Sequence, residues 1–354
     1  MSKTLTPPRT QGARLVLRAK EKLLGHNFLL AVTIVMFVVL YVGGLVAFGD
    51  KNFGNLQVFL NILISNAGLI ITAVGMTMVL ITGGIDISVG SVIAVTCMLL
   101  AAMMEKGNVP APVAVLVVLL FGIVFGAAQG WFIAYLKIQP FIVTLAGMFF
   151  ARGLTAVISL EMITITNKAF LGIAQYKMYL PFGGVMNKRG AMIYPYIYPT
   201  VILALVVLVV AFLMLRFTKF GRRVYAVGGS EQSALLMGLN VKRTKLIVYM
   251  INGFLATLGG VAFCLNTTGA FVELAKDFEM EAIAATVIGG TPLTGGVGNV
   301  FGTLFGVLIK ATIETFVSFQ GNLSSWWSKI IIAALLAFFI VLQSLLTMRK
   351  QKQR

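Results

Sequence analysis

The residues of this chain best placed to do chemistry are a few carboxylates set in otherwise apolar sequence. Asp86 lies in "TGGIDISVG" (82–90), Glu279 and Glu281 open the run that leads into "GGTPLTGGVG" (289–298), and Glu314 sits in an apolar stretch beyond it. In such a setting a carboxylate can carry a proton, face a polar solute or cap a helix. Nucleophilic chemistry has no comparable support, because the only histidine, His26, precedes the first apolar run and leaves no base near a nucleophile. Cys97 and Cys264 fall inside apolar runs with no disulfide or metal spacing, so neither a catalytic residue nor a metal site is assigned. Gly290 and Gly295 have the glycine spacing of a phosphate-binding loop, but Gly296–Val297 follows where Lys–Ser/Thr is required. No nucleotide site is visible on this chain.

The elements that must position these acids are membrane helices. Of 354 residues 59% are hydrophobic and 11% charged, with a mean hydropathy of +0.97. Apolar runs long enough to cross a hydrocarbon core of about 30 Å recur from end to end. The alternating short segments of a β-barrel are absent. The fold class is therefore an all-α polytopic membrane protein. The net charge of +17 is gathered in the N-terminal segment, in one polar loop and at the C-terminus. That distribution follows the positive-inside rule and points to lipid, not to nucleic acid. The first apolar run is too long for a signal peptide and lacks a small-x-small cleavage site, so it reads as a retained span.

Apolar runs and breakers place spans at 27–49, 57–81, 88–104, 111–135, 141–160, 195–216, 245–265, 279–290, 299–319 and 326–346. The segment 279–290 covers only about 18 Å. If the three basic segments share the cytoplasmic side, parity requires that it and its glycine-rich extension make one crossing. The expectation is thus ten crossings with two glycine-rich broken helices and both termini cytoplasmic. A basic N-tail (1–26) precedes a membrane-spanning body (27–346), which holds a cytoplasmic loop (217–245) and an external loop (161–194), and a basic C-tail (347–354) follows. The run "YPYIYP" after the external loop reads as an interfacial aromatic belt feeding the next helix.

Five glycines and Pro292 would cost 289–298 about 8 kcal/mol as helix, so this segment is a break. Broken backbone survives in lipid only where protein or a water-filled cavity satisfies it, so both breaks should face the interior. In the first, Gly83–Gly84 ends one helix and Asp86 can cap the next by accepting N–H groups at Ser88 or Val89. Gly90, Ala94 and Ala101 then form a small-residue packing stripe. Cap and packing face is one reading. The other, compatible with it, is a route for a polar solute past Asn66, Thr82, Gly83, Gly84, Asp86, Ser88, Glu281, Thr291, Gly295 and Gly296. Glu281 reads as a counterpart of Asp86, and Glu314 as an acid snorkelling or pairing near the outer surface.

In the loop, Ser230 can cap a short helix, Glu231 suits its positive end, and Gly238 can end it in a left-handed conformation. That helix either packs on its own membrane domain or docks a cytosolic partner. At this point "FGRRVYAVGGSEQSALLMGLNV" resembles the cytoplasmic coupling segment of sugar-type ATP-binding-cassette (ABC) importer permeases, the ribose/xylose/galactose group. "GGIDISVGS" and "EMEAIAATVIGGTPLTGGVGNVFGTLFGVLI" resemble two further signatures of the group, Ile87 standing where leucine is usual. "PFIVTLAGMFFARG" and "GNLSSWWSKI" are closer to a galactofuranose-type permease subunit.

The resemblance covers nearly the whole chain after the N-tail. It implies a bacterial inner-membrane permease that imports a monosaccharide, galactofuranose-like or fructose. It also implies a second permease subunit, with a heterodimer favoured over a homodimer, and an external or periplasmic sugar-binding protein. A cytosolic twin-cassette ATPase would carry the ATP and Mg, leaving no cofactor on this chain. Glu231, Ser233, Ala234, Leu235, Gly238 and Asn240 would couple that ATPase to the spans. The competing class is an ion- or proton-coupled secondary transporter, which also suits broken helices and an interior acid.

Overall fold

Helix α1 (Asn27–Ala47) opens the structure, a computed structural model that describes residues 27–186, 192–322, 324 and 326–351. The N-tail read at 1–26 lies outside the described residues. There follow α2 (Leu56–Ser65), α3 (Ala67–Ile81), α4 (Val89–Glu105), α5 (Ala111–Tyr135) and α6 (Pro140–Ile158). A loop region carries β1 (Ile163–Thr164), α7 (Lys168–Ala174), β2 (Met178–Tyr179), β3 (Val185–Met186), β4 (Met192–Ile193) and β5 (Tyr196–Ile197). Then come α8 (Pro199–Phe217), α9 (Lys219–Gly229), α10 (Glu231–Leu236) and α11 (Val241–Thr267). Strand β6 (Gly269–Ala270), α12 (Phe278–Ile288), α13 (Val300–Gln320) and α14 (Trp326–Gln351) complete the chain.

Local chemistry sets many of the boundaries. Asn55, Asn167, Thr218, Ser230, Asn240 and Asn299 each accept a first-turn N–H at the start of a helix. Proline stands in the first turn of α5, α6 and α8, where its missing N–H costs nothing. The strands pair only as two-residue antiparallel ladders, β1 with β6, β2 with β5 and β3 with β4.

Every residue of α3 is buried, which makes it the central helix. Around it α11 packs closely on α5, because Gly122, Gly126 and Gly130 give α5 a face without side chains. A Cβ at Gly126 would strike the carbonyl of Tyr249, and one at Gly253 would strike that of Gly122. In lipid, where apolar side chains gain little from mutual burial, such close approach of small residues drives helix association. The outer faces of α1, α5, α6 and α8 leave Val39, Leu116, Phe149 and Val210 exposed, as lipid-facing helices do.

Several sequence expectations are redrawn. Among the described residues six helices are long and apolar enough to cross a membrane, or seven if α2 and α3 are one span, and two shorter apolar helices, Val89–Glu105 and Trp326–Leu342, stand beside them; ten crossings are not confirmed. The span expected at 57–81 is bent by 56° at Asn66, whose side-chain amide donates to Ile62 O at 2.9 Å. The span expected from 195 starts at Pro199, because Tyr196 and Ile197 belong to a strand whose Tyr196 N–H donates to Gln57 Oε1 (2.8 Å). The span expected at 245–265 runs from Val241 to Thr267. Helix α12 has 11 residues, and its buried C-terminal carbonyl at Ile288 accepts the Thr33 hydroxyl at 2.9 Å. Helix α14 runs on to Gln351, into the segment read as a C-tail.

Candidate functional site

Gly83 ends α3 in the left-handed region (φ 75°), and residues 83–88 run without regular structure into α4. Asp86 is 2% exposed and both its oxygens are engaged. Oδ1 accepts the Ser88 N–H (2.8 Å) and hydroxyl (2.6 Å), and Oδ2 accepts the Asn252 amide of α11 (2.7 Å). Gln129 of α5 donates to Ser88 Oγ (2.9 Å), and the Tyr249 hydroxyl donates to Ile85 O (3.1 Å). The break is thus bolted to α5 and α11 through a buried polar network. Sequence reading found Asp86 and Ser88 but not Asn252, Gln129 or Tyr249, whose only local sign was polarity within apolar helices.

Asp86→Ala would leave the Ser88 N–H and the Asn252 amide without an acceptor, each costing about 1–3 kcal/mol. Asp86→Asn keeps an acceptor for Ser88, and Asn252 Oδ1, which has no hydrogen-bond partner among the described residues, can take the new amide. We expect the alanine variant to melt well below the wild type in detergent and the asparagine variant to stay close to it.

The two breaks meet. Gly296 N–H donates to Ile81 O at 2.8 Å, closing a carbonyl that the end of α3 leaves open. Gly295 and Gly296 are left-handed (φ 78° and 79°), and a Cβ at Gly295 would lie 2.7 Å from Gly83 N. Helix α9 joins the same junction: a Cβ on Gly228 would strike Ile81 O and stand 2.7 Å from Gly296 N. The Tyr225 hydroxyl donates to Gly298 O at 2.9 Å. Of the other expected pathway residues, Thr82 bonds Val79 O (2.7 Å), Gly84 packs against the Tyr249 hydroxyl, and Thr291 is buried.

Beyond α9, Ser230 caps α10 through Ser233 N–H (3.2 Å), Gly238 is left-handed (φ 76°), and Glu231 pairs with Lys245 (2.6 Å). Asn240 caps α11 by accepting from Arg243 N–H (2.9 Å). Ala234 is buried against Val227 and Val241, so it is not on an outward face. Leu235 and Met237 (65% exposed) are exposed, and Leu236 (89%), which the sequence did not single out, completes an apolar tip.

A separate polar site lies within the bundle. Lys310, on α13, is 5% exposed and pairs with Glu281 Oε2 (2.8 Å) and with Glu314 Oε1 (2.9 Å). Ten residues separate it from either end of α13, so it stands about 15 Å from both. These three side chains line a cavity of about 420 Å³ together with Asn66, Phe263 and Phe278, and the exposed Glu273–Lys276 pair (3.1 Å) also borders it. A second cavity, about 460 Å³, shares Ser65 and Phe263 with the first and reaches Gln175, Tyr198 and Asn266 beside the loop region. Asn66 and Glu281 are therefore brought together here, away from Asp86. Lys310 escaped sequence reading, although its i, i+4 spacing to Glu314 was the available signal.

Comparisons with known proteins agree with one another. Residues 58–340 match the family described as branched-chain amino acid transport system / permease component. The chain is 43% identical over 322 residues to the inner membrane ABC transporter permease protein YjfF of Escherichia coli K12, covering 91% of this chain and 93% of that one. It is 36% identical over 311 residues to the fructose import permease protein FruG of Bifidobacterium longum, covering 88% of each. With the ribose import permease protein RbsC of E. coli K12 it shares 34% identity over 295 residues, 83% of this chain and 88% of that one. No solved structure matches it.

Proposed function

Since the chain belongs to the branched-chain amino acid transport system / permease component family, among the sugar ABC permeases of that family, we propose that it is the membrane-spanning subunit of an ATP-driven importer of a monosaccharide. It is a multi-pass inner-membrane protein. The relatives' names specify ribose and fructose, and the sequence signatures add a galactofuranose-like sugar to the candidates. The N- and C-termini and the 217–245 loop would face the cytoplasm. The 161–194 loop would meet an external sugar-binding protein, a second permease subunit would complete the pathway, and ATP and Mg would be held by a separate ATPase.

One observation carries this reading. The 217–245 segment presents an exposed apolar tip at Leu235, Leu236 and Met237, while its other end touches both broken helices through Gly228 and Tyr225. A partner seated on that tip has a short mechanical path to the junction of the two breaks. An exposed apolar patch of this kind, on a polar loop, is the mark of a protein contact surface.

The test is a docking variant. Leu236→Asp leaves the fold alone, since Leu236 is exposed, and is expected to strip the ATPase from the purified complex and to end ATP-dependent sugar uptake in reconstituted vesicles. Uptake by the isolated chain without ATP would overturn the proposal in favour of secondary transport.

A further inference from the structure

We infer that the cavity around Glu281, Lys310 and Glu314 is a binding station for one uncharged monosaccharide, selecting it against anionic sugars. The inference rests on the permease reading and adds to it a site and a charge rule. Three observations carry it. First, Lys310 stands at the middle of α13 with a glutamate on either side of it in its ion pairs, and an ionisable group at that depth is costly in a bilayer and marks a solute route. Secondly, Lys310 takes one oxygen from each acid, leaving Glu281 Oε1 and Glu314 Oε2 outside its ion pairs. Charge is thereby compensated internally, while acceptor capacity remains for hydroxyl donors.

Thirdly, the walls suit a sugar. The cavity of about 420 Å³ is in the range of small-molecule sites. Phe263 and Phe278, whose rings meet edge to face at 5.5 Å, give it an apolar side, and Asn66 lies on its polar lining. The neighbouring cavity that shares Ser65 and Phe263 links it toward the loop region, the side on which a binding protein would release its cargo. A zwitterionic amino acid fits less well, since its ammonium and carboxylate would have to part ion pairs already made. An anionic sugar would face three carboxylates, Glu273, Glu281 and Glu314, against two lysines.

The experiment uses the complete importer in cells, with labelled D-ribose, D-fructose, D-galactose, D-galacturonate and L-leucine as probes. Glu314→Gln keeps the Glu281–Lys310 pair and removes one charged acceptor. It is expected to raise the half-saturating sugar concentration about tenfold with little change in maximal rate, the loss of one charge-assisted hydrogen bond. It should also admit D-galacturonate, which the unmodified importer rejects. A packing role alone would not change selectivity. Independently, Ser65→Cys, at an exposed position of the cavity wall, should react with a maleimide in membranes holding the assembled importer, and the transported sugar should slow that reaction while galacturonate does not; the native Cys97 and Cys264 are buried. Unaltered half-saturation and selectivity in Glu314→Gln, or a thiol at position 65 that no transported sugar protects, overturns the station while leaving the permease reading intact. If the unmodified importer takes up leucine and none of the sugars, the sugar reading itself falls.

Discussion

Gly228→Val is expected to cut ATP-driven uptake sharply while leaving the chain in the membrane and bound to its ATPase. The reason is contact of backbone with backbone. At Gly228, α9 lies so close to Ile81 O and Gly296 N that no side chain fits, and neither neighbour is a flexible side-chain end that can swing aside. A valine must push α9 away from the junction of the two breaks or push the breaks apart. Overpacking of this kind costs about 1–3 kcal/mol, which lowers the population of the docked arrangement by about 5- to 150-fold. The exposed tip at Leu235–Met237 lies on the far side of Ser230 and keeps its shape, so ATPase binding should persist while sugar-stimulated ATP hydrolysis is lost. Gly229→Ala is the control, because a Cβ there meets nothing within 4 Å. Vesicle uptake and ATPase rates, measured on the same preparations, check both variants; normal uptake by Gly228→Val would show that α9 does not act through this contact.

That junction shows what a linear reading sees and what it misses. Glycine and proline cannot continue a membrane helix cheaply, so both breaks were visible as composition. The requirement that each find partners in the interior was visible as well. That each break is the other's partner was not, because the Gly296–Ile81 bond joins residues far apart in sequence. Asp86 was legible as an acceptor for the Ser88 N–H, although Ser88 and not Asp86 stands at the cap position of α4, whereas its second oxygen is held by Asn252, a lone polar residue on a distant helix. Long apolar runs located α1, α5 and α6 closely, since hydropathy alone decides them. The bend at Asn66 left no trace in hydropathy, and α12 is too short for its apolar run to reveal how it sits against α13. In the loop, capping chemistry fixed Ser230 and Gly238, but which side of α10 faces outward depends on Val227 and Val241, against which Ala234 is buried.

Lys310→Met should destabilise the protein more than loss of either of its acidic partners. Lys310 is nearly buried and is the shared partner of Glu281 and Glu314, so its removal leaves two carboxylates facing each other without a counter-charge. Removing one member of a buried ion pair costs about 3–5 kcal/mol. Here the acids keep contact with water through the cavity, their side chains being 28% and 37% exposed, which moves the expected cost toward the lower end of that range. The decisive variant is the triple, Glu281→Gln with Lys310→Met and Glu314→Gln. It removes all the charge at once, and replacing a whole buried ion network by neutral groups is often neutral or stabilising. The melting midpoint of the complex in detergent should therefore fall for Lys310→Met and recover in the triple variant. Uptake should not recover with it, because the charged acceptors offered to the solute are replaced by weaker neutral ones. A triple variant that regains both stability and wild-type uptake would reduce the Glu281–Lys310–Glu314 cluster to a structural tie between α12 and α13.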